Sequence, residues 1–480
     1  MALRAGRGTT PQVRVNRPGR LWRRRFVLAR SPPKRKTSAV DLRFQLGCWV
    51  RYFYRQGPRF RHLLASLERS GRYGKEEIAD YQSHCLQRIV RHCHRNIPYY
   101  RQLFSDLRLR PEHIRTAADL RHLPLMDKQT VRDNFDRLIA PERRNVLCRV
   151  AATSGSTGTP GRFMRDYGAI NFENAAVWRH WRAAGDVSDK RITLRGDIVV
   201  PVAQTHPPFW KYNAANRELL MSAYHLSLAN ARAYIDRIVA FGPSVLYAYP
   251  SAAGVLARLF SAFGVRHRFR IVFTSSESLS VEMRRVIEDA FQAPVFDWYG
   301  QAERVAALGQ CRCGTYHIQE DYSLVELIDS PNGCELVGTH FFNFVMPLLR
   351  YRTGDEVRPD PSDCPCGSAF RTVATVYGRD CGVLMTSDGV PIPITNHIPR
   401  GVDNLLEAQF CQEKAGELTV KVVTNGRFTD DDRATLAQRV LEHTSPRMKV
   451  VVQEVDHIAR GPNGKFVPVV SALAASPGRP

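Results

Sequence analysis

One loop of the sequence reads Thr153-Ser154-Gly155-Ser156-Thr157-Gly158-Thr159-Pro160-Gly161, and it directly follows the apolar run Val146–Ala152. Glycine lets the backbone turn tightly and approach a ligand, and the hydroxyl groups add hydrogen-bond donors. The spacing differs from the GxxxxGK[ST] pattern of the P-loop. Because flexible linkers rarely lie between a strand and a helical pattern, we interpret this loop as a binding nest for a polyphosphate.

Short apolar runs alternate with amphipathic helical patterns in the centre of the chain. We expect buried strands at Val146–Ala152, Ile192–Leu194, Val245–Tyr249, Ile271–Thr274 and Val295–Trp298. We expect helices at Ile170–Ala183, Ala229–Phe241, Ala252–Phe263 and Ser280–Phe291. This alternation indicates a layered α/β fold with a mainly parallel sheet.

The two ends of the chain differ from this central pattern. From Leu42 to about Ile139 the sequence is helical in character, and Pro98 ends one of these helices. One face of that helix is predicted from Tyr81, Leu86, Ile89, Val90 and Cys93. After Ser323 the expected strands lie closer together, at Leu324–Ile328 and Cys334–Thr339, which favours antiparallel pairing. The C-terminal residues predict a small α+β unit with strands at Glu417–Val423 and Val450–Val455 and a helix at Asp430–Leu441.

Basic residues are concentrated at the N-terminus. The chain has 480 residues, with 69 Lys and Arg against 46 Asp and Glu, and a net charge of +23. Residues 1–40 contain 12 of these basic residues and no acidic one, so the rest of the chain carries +11. The segment has few large apolar side chains to offset its ordering entropy. We predict a basic disordered tail over residues 1–41, solvated in the ordinary case, with nucleic acid or anionic lipid as the less expected partner.

Composition excludes several classes of protein. With 44% hydrophobic and 24% charged residues, the chain has an ordinary globular composition, which excludes a disordered, collagen-like or fibrous protein. No uninterrupted apolar run reaches transmembrane length, since the longest uncharged stretch, 238–257, contains Pro243 and Pro250. The 11 cysteines are odd in number and follow no secretory signal, which argues against a disulfide framework. We therefore expect a cytoplasmic protein with no membrane span.

Four further motifs carry candidate chemistry. Tyr299-Gly300-Gln301-Ala302-Glu303 offers an aromatic face for a base and a carboxylate for Mg²⁺. Arg350-Tyr351-Arg352-Thr353-Gly354-Asp355 places an acid after a tight turn, where it can accept hydrogen bonds from two vicinal hydroxyls. Gly378-Arg379-Asp380 precedes a change in composition, and Gly461-Pro462-Asn463-Gly464-Lys465 is a turn that presents one lysine. Each motif alone is weak evidence for a function, whereas the order of all of them along the chain is specific.

In this order and spacing, the motifs resemble those of the adenylate-forming (AMP-binding, acyl-CoA synthetase) superfamily. Within it, the chain is most similar to the phenylacetate–CoA ligase branch and its relatives from capsular polysaccharide gene clusters. The resemblance extends from about Tyr81 to Ser471 and includes Ile97-Pro98-Tyr99-Tyr100-Arg101 and Leu123-Pro124-Leu125-Met126-Asp127-Lys128. It implies a large N-terminal α/β domain over residues 42–378, helical to about 140, and a small mobile α+β lid domain over residues 379–480.

The resemblance also implies a nucleotide site. The loop Thr153-Ser154-Gly155-Ser156-Thr157-Gly158 would hold the β- and γ-phosphates of ATP. Ser275, Ser276 and Glu277 would lie along the adenine, with Tyr299 stacked on it and Gly300 beside it. Asp355 would bind the ribose hydroxyls.

The remaining implied roles concern catalysis. Glu303 would coordinate Mg²⁺, and Arg379 and Asp380 would form the hinge of the lid domain. Lys465 would be the lysine of the adenylation step, because its ammonium group offsets the negative charge of the attacking carboxylate and the α-phosphate.

Three positions depart from the family pattern. Thr159 stands where many relatives have a lysine, so either Arg162 supplies the charge or ATP binds more weakly. Cys381 stands where a second hinge acid is common. The segment Thr386–Pro393 is also atypical, so the sequence supports the thioester half-reaction less strongly than adenylation.

Four clustered cysteines and one histidine predict a structural zinc site. Cys311, Cys313 and His317 lie in one short segment, and Cys364 and Cys366 lie in another. Thiolate and imidazole suit tetrahedral Zn²⁺, and some relatives of this branch carry a structural zinc at the matching place. We predict His317, Cys364, Cys366 and one of the first two cysteines, preferably Cys311, as ligands, against unligated thiols near a turn.

The expected function is ATP-dependent, AMP-forming activation of a carboxylic acid, with an aromatic acid as one option, followed by transfer to CoA or another acceptor. A role in cell-surface polysaccharide biosynthesis is one setting for it. One alternative is transfer of the acyl-adenylate to a carrier protein or a sugar without CoA. Another is a catalytically degenerate ligase body with a nucleic-acid-binding basic arm. A homodimer is one of the oligomeric states that this interpretation leaves open.

Overall fold

The computed structural model describes residues 39–143, 147–152, 161–330, 333–377, 383–393, 399, 402–461 and 464–473. Contacts divide the chain into two units, Met1–Arg43 and Phe44–Pro480. The described part of the first unit is the beginning of a helix. Of the basic tail predicted for residues 1–41, residues 1–38 lie outside the described residues, and residues 39–41 belong to this helix.

The helices agree with the predicted helical segments. They are α1 (Ala39–Gln56), α2 (Pro58–Ser70), α3 (Lys75–Asn96), α4 (Pro98–Asp106), α5 (Lys128–Asp133), α6 (Tyr167–Ala184), α7 (Ala231–Phe241), α8 (Pro250–Ala262), α9 (Val281–Phe291) and α10 (Asp430–His443). Helix α3 buries Leu86, Ile89, Val90 and Cys93 on one face, as their spacing predicts. It ends two residues before Pro98, whose ring cannot continue a helix but suits the first position of α4.

The strands are, in chain order, β1 (Cys148–Ala152), β2 (Arg162–Asp166), β3 (Arg191–Arg195), β4 (Trp210–Asn213), β5 (Glu218–Ser222), β6 (Val245–Ala248), β7 (Ile271–Ser275), β8 (Val295–Gly300), β9 (Ala307–Gln310) and β10 (Tyr316–Ile318). The strands that follow are β11 (Ser323–Ser330), β12 (Gly333–His340), β13 (Tyr351–Asp360), β14 (Thr372–Tyr377), β15 (Val383–Met385), β16 (Pro391–Pro393), β17 (Leu405–Gln412), β18 (Glu417–Thr424), β19 (Lys449–Glu454) and β20 (Val469–Ser471).

A twelve-stranded sheet forms the body of the molecule. Its order is β11-β12-β13-β14-β10-β9-β8-β7-β6-β3-β5-β4. Strands β5, β3, β6, β7 and β8 are parallel, and the strands after β8 pair antiparallel, so both predicted pairing modes are confirmed. The carboxyl ends of parallel strands meet at one edge of the sheet, and that edge is where ligands bind in open α/β folds.

The interpretation of Val146–Ala152 as a buried strand was wrong. The strand begins at Cys148 and pairs only with β2, in a two-stranded antiparallel ribbon separate from the large sheet. Arg149 and Val150 are exposed. An apolar run of this length does not distinguish a core strand from an exposed ribbon, because periodicity alone carries no information on burial.

The C-terminal residues form their own small sheet, of order β19-β18-β17-β20, covered by α10. Val420, Val422, Leu436 and Val440 are fully buried in its core. Helix α10 begins after Thr429, whose hydroxyl accepts a hydrogen bond from the backbone N–H of Asp432. The predicted domain boundary at 378/379 lies outside the described residues.

Candidate active site

The predicted nucleotide residues lie at the carboxyl ends of neighbouring parallel strands. Ser276 follows β7, and Tyr299 and Gly300 end β8, which pairs with β7 through Ser275 and Trp298. Ser276 has a φ of +73°, a strained conformation for a residue with a side chain. Its hydroxyl accepts a 2.8 Å hydrogen bond from Nη2 of Arg195, the last residue of β3.

Tyr299 and Asp355 meet although 56 residues separate them. The Tyr299 hydroxyl donates a 2.7 Å hydrogen bond to Oδ2 of Asp355 on β13. Burial, and after it the Asp355 carboxylate, raise the pKa of Tyr299 well above its usual value, so its hydroxyl stays a donor. The structure thus brings the predicted adenine and ribose residues into one crevice.

Glu303 is buried at the start of the segment that follows β8. Its Oε1 accepts a 3.1 Å hydrogen bond from the Tyr351 hydroxyl, and its backbone oxygen lies 2.8 Å from Nε2 of His340. Since Nδ1 of His340 accepts from the Leu348 N–H, Nε2 carries the proton and donates to Glu303. Burial lowers the pKa of His340 to about 4, and the ring is therefore neutral near pH 7.

The Lys465 turn rests against the same edge of the large sheet. Gly461 N–H donates to Lys465 O at 2.9 Å, and Gly464 N–H donates to Gly461 O at 2.8 Å, which closes the turn. Gly464 has a φ of +66°, and a side-chain carbon placed on it would lie 2.3 Å from the Cα of Gly196, directly after β3. Glycine is therefore required at 464 for both its conformation and this approach.

Glu277 has a role that the sequence analysis missed. Its Oε1 accepts a 2.8 Å hydrogen bond from the backbone N–H of Phe466, the residue after Lys465. Its Oε2 accepts a 3.1 Å hydrogen bond from the N–H of Ser251 in the first turn of α8. The carboxylate thus joins the lysine turn to the N-terminus of α8, where the helix dipole also favours negative charge.

Several predicted residues lie outside the described residues. They are the phosphate-loop residues Thr153, Ser154, Gly155, Ser156, Thr157, Gly158 and Thr159 and the hinge residues Arg379, Asp380 and Cys381. Arg162, the expected source of a missing charge, lies with its Cζ 4.7 Å from the Phe135 ring centroid. Lys128 is better placed, because a side-chain carbon added to Gly161, at the end of the loop, would lie 3.2 Å from its Cε.

Four of the five predicted zinc ligands lie together. Ligand atoms of Cys311, His317, Cys364 and Cys366 all lie within 4.8 Å of one another, whereas Cys313 is exposed and not part of this group. The Cys311 and Cys364 sulfurs are 3.6 Å apart, and the Cys366 sulfur is 3.4 Å from His317 Nε2. Ligands about 2.3 Å from a tetrahedral zinc ion lie about 3.8 Å apart, so the spacing fits that ion.

The imidazole of this thiol cluster (Cys311, His317, Cys364 and Cys366) is also oriented for metal binding. His317 Nδ1 lies 3.1 Å from the backbone oxygen of Phe370, so this nitrogen donates and Nε2 is left facing the thiols. The cluster joins the β9–β10 hairpin to the loop between β13 and β14.

The aromatic side chains before β4 and at the end of β6 lie in different surroundings. Phe209, in the segment 206–210, is fully buried and stacks on His225 with ring centroids 4.7 Å apart, so it is part of the core. Tyr247 and Tyr249, at the end of β6, lie at the crevice with Arg195, whose Cζ is 4.5 and 5.0 Å from their ring centroids. Arg195 was missed because a lone arginine at a strand end carries no motif.

Comparisons with known proteins agree with this geometry. Residues 384–472 match the family model described as the CapK C-terminal domain. The chain is 25% identical to the protein CapK of Staphylococcus aureus, over 82% of this chain and 91% of that protein. It is 27% identical to phenylacetate–coenzyme A ligase of Aromatoleum evansii, over 75% and 84% of the two chains.

Among solved structures, the fold is similar to that of 2-hydroxyisobutyryl-CoA ligase in the postadenylation state in complex with 2-HIB-AMP. The TM-score is 0.62 at 17% identity, and the match covers 84% of this chain and 91% of that ligase. At this identity the likeness concerns the fold. The relatives are CapK and phenylacetate–coenzyme A ligases and the fold is that of an acyl-CoA ligase, so both comparisons agree with the resemblance to the adenylate-forming superfamily.

Proposed function

We propose that this chain is an AMP-forming acid–thiol ligase. A carboxylate oxygen attacks the α-phosphorus of ATP, pyrophosphate leaves, and an acyl-adenylate forms. The sulfur of CoA then attacks the acyl carbon, and AMP leaves. Relatives that are named phenylacetate–coenzyme A ligases support this proposal, as does the similar fold of a ligase with a bound acyl-adenylate.

The observation that carries the proposal is the docking of the Lys465 turn. The turn lies against Gly196 at the carboxyl edge of the parallel strands, and Phe466 is hydrogen-bonded to Glu277 of the same crevice. An ammonium group presented there stabilises the negative charge that develops when carboxylate and α-phosphate combine. Lysine suits this role as a compact point charge on a flexible stem.

The other residues of the crevice supply binding. We assign the adenine to Tyr299, Ser276 and Gly300, the ribose to Asp355, and the phosphates to the loop 153–158 with Lys128 beside its end. Glu303 is the carboxylate that would hold Mg²⁺, which neutralises phosphate charge when bound. Arg379 and Asp380 are proposed as the hinge.

We also propose that the thiol cluster holds a structural Zn²⁺. Its three thiols and one imidazole would complete a tetrahedral set, so this ion would have no open position for a substrate. Its contribution would be to fix the β9–β10 hairpin relative to the loop that follows β13, the strand of Asp355.

The acceptor and the acid are the finer parts of the proposal. CoA is the first choice, and a carrier-protein thiol or a sugar in cell-surface polysaccharide synthesis is the second. Tyr247 and Tyr249 at the crevice favour an aromatic acid, because aromatic walls suit such a ligand. Because ATP and CoA are both available in the cytoplasm, we place the proposed reaction there. Within the described residues, no helix is both long and apolar enough to cross a bilayer.

Acid-dependent exchange of pyrophosphate into ATP tests the proposal. The wild-type chain is screened with aromatic, aliphatic and hydroxy acids, and Lys465→Ala is compared with Lys449→Ala on β19, an exposed lysine that pairs with Glu417. We expect Lys465→Ala to slow exchange by at least about a hundredfold and to leave ATP binding intact, because the lost charge acts in the transition state.

Unchanged exchange in Lys465→Ala would overturn the mechanism. If no acid supports exchange in the wild-type chain, the degenerate-ligase alternative gains. Thioester formation with CoA, compared with carrier-protein and sugar acceptors under the same conditions, identifies the acceptor.

A further inference from the structure

Helix α1 exposes a stripe of large apolar side chains. Leu46, Trp49, Val50 and Phe53 have exposed fractions of 66, 43, 63 and 64%. Their spacing of three and four residues places them on one face of the helix. Isolated exposed apolar residues are ordinary, whereas a contiguous stripe of this kind marks an interaction surface.

The opposite face of α1 is attached to the body of the protein. Cys48 is buried there, and Gln45 forms two hydrogen bonds, 2.6 Å from its Nε2 to Tyr212 O and 3.1 Å to its Oε1 from Ala214 N–H. Asn171 Nδ2 donates to Tyr54 O at 3.2 Å. These contacts fix the rotation of the helix, so the apolar stripe of Leu46, Trp49, Val50 and Phe53 faces outward.

The charge of the sequence before α1 indicates which kind of partner binds the stripe. Residues 1–40, which lead into α1, carry 12 basic and no acidic residues. A second copy of the chain would bring the same positive charge to the stripe and be repelled. A nucleic acid would match the charge but would leave the apolar side chains in water. An anionic lipid surface satisfies both features, because it offers negative headgroups above an apolar interior.

We propose that α1 binds the surface of an anionic lipid bilayer. Leu46, Val50 and Phe53 enter the boundary between headgroups and acyl chains, Trp49 lies at the headgroup level, and the positive charge of residues 1–40 attracts the chain to the anionic headgroups. This proposal is independent of the proposed ligase function, since the stripe contains no residue of the active site.

Vesicle sedimentation of the full chain tests it. The probes are vesicles of phosphatidylcholine alone and vesicles with about 30% phosphatidylglycerol, which supply the surface potential. We expect binding only to the anionic vesicles, weakened at least about tenfold by L46Q/V50Q/F53Q. The matched control V281Q/V451Q changes two similarly exposed valines elsewhere and should bind as the wild type does.

Two further measurements separate the contribution of charge to vesicle binding from that of the apolar stripe. R23Q/R24Q/R25Q and added salt should each weaken binding several-fold, because surface attraction is screened beyond about 10 Å at 0.1 M salt. In a Trp22→Phe background, the blue shift of tryptophan fluorescence on anionic vesicles should be absent after Trp49→Phe, although four other tryptophans remain of the six.

The proposal is overturned by any of three results. The first is a wild-type chain that does not bind anionic vesicles, and the second is binding that L46Q/V50Q/F53Q leaves unchanged. The third is a wild-type dimer that the same triple variant converts to a monomer without any vesicle binding, which would make the stripe a contact between copies. Nucleic-acid binding that needs Arg23–Arg25 but not the stripe, in a chain that ignores vesicles, would assign the charge to nucleic acid instead.

Discussion

The carboxylate of Glu277 joins two separate parts of the chain through two hydrogen bonds. One oxygen holds the backbone of Phe466 beside Lys465, and the other holds the first turn of α8. Hydrogen bonds from a backbone N–H to a charged acceptor contribute roughly 1.5–3 kcal/mol each, more than neutral ones do. The two hydrogen bonds of Glu277 are therefore strong enough to fix the position of the lysine turn.

We predict that Glu277→Ala slows acid-dependent pyrophosphate exchange by about tenfold to a hundredfold, because the variant loses a charge-assisted bond that positions Lys465. Thioester formation from supplied acyl-adenylate and CoA should fall much less, since it does not need the lysine. Asp289→Ala, on the exposed side of α9, is the control. An equal loss in both half-reactions would contradict the positioning role.

At the level of single residues, the sequence was informative where a residue belongs to an ordered motif. Tyr299, Asp355 and Lys465 were placed in one site on that basis, and their roles stay predictions. Glu277 was assigned to the adenine, and its two backbone partners, Phe466 and Ser251, were not foreseen. Contacts between segments far apart in the chain depend on tertiary packing, which local patterns do not contain.

The β9–β10 hairpin is a short element whose position depends on what holds its turn. Strand β10 has three residues, and it lies between β9 and β14 in the large sheet. Behind it, the Tyr316 hydroxyl donates to the buried Asp297 at 2.8 Å. Burial raises the pKa of Asp297 to about 6. The thiol cluster includes Cys311 at the turn of this hairpin and His317 on β10.

We predict that Cys364→Ser lowers bound zinc from about one ion per chain to almost none, because the tetrahedral set loses a buried thiolate. Its thermal unfolding midpoint should fall as well. Cys313→Ser should retain the metal, since that thiol is exposed and outside the cluster. Elemental analysis of the purified variants measures the metal content, and equal loss in both variants would refute the assigned ligand set.

At the level of elements, the central α/β pattern was predictable because buried parallel strands and amphipathic helices have distinct periods. The predicted helix Ser280–Phe291, for example, is α9, with Ser280 as its N-cap. The short strands β2, β4, β5, β9, β10, β15, β16 and β20 were missed, since three- to five-residue strands in mixed surroundings have too few positions for a pattern. The longer strands β13, β14 and β17 were missed as well. Their existence depends on neighbouring strands that local sequence does not specify.

Over the whole molecule, the C-terminal residues are attached to the body by a shared apolar core. Leu406, Val423 and Ile458 are buried in the same cluster as residues of α7, α8 and β3. Arg258 on α8 adds a 3.2 Å hydrogen bond to Leu406 O. Nearby, the buried Glu407–Arg460 ion pair has an N–O distance of 2.6 Å. The guanidinium of Arg460 lies over the Phe466 ring, so this core also supports the lysine turn.

We predict that Ile458→Asp separates the C-terminal residues from the body, because a carboxylate in this core costs about 3–5 kcal/mol. Pyrophosphate exchange should be lost, and small-angle scattering should show a larger radius of gyration. Val451→Asp, at an exposed site on β19, should change neither. A compact Ile458→Asp chain with normal exchange would show that this core does not hold the two parts together.

The contact between Gly464 and Gly196 has a consequence for how the two half-reactions can be uncoupled. A methyl group at position 464 would need space that the Cα of Gly196 occupies, only 2.3 Å away. A Gly464→Ala chain could no longer place Lys465 in the site, but all the groups that bind an acyl-adenylate already formed would remain. One carbon atom would thus convert a two-step ligase into a thioester synthase that depends on an activated acid made elsewhere.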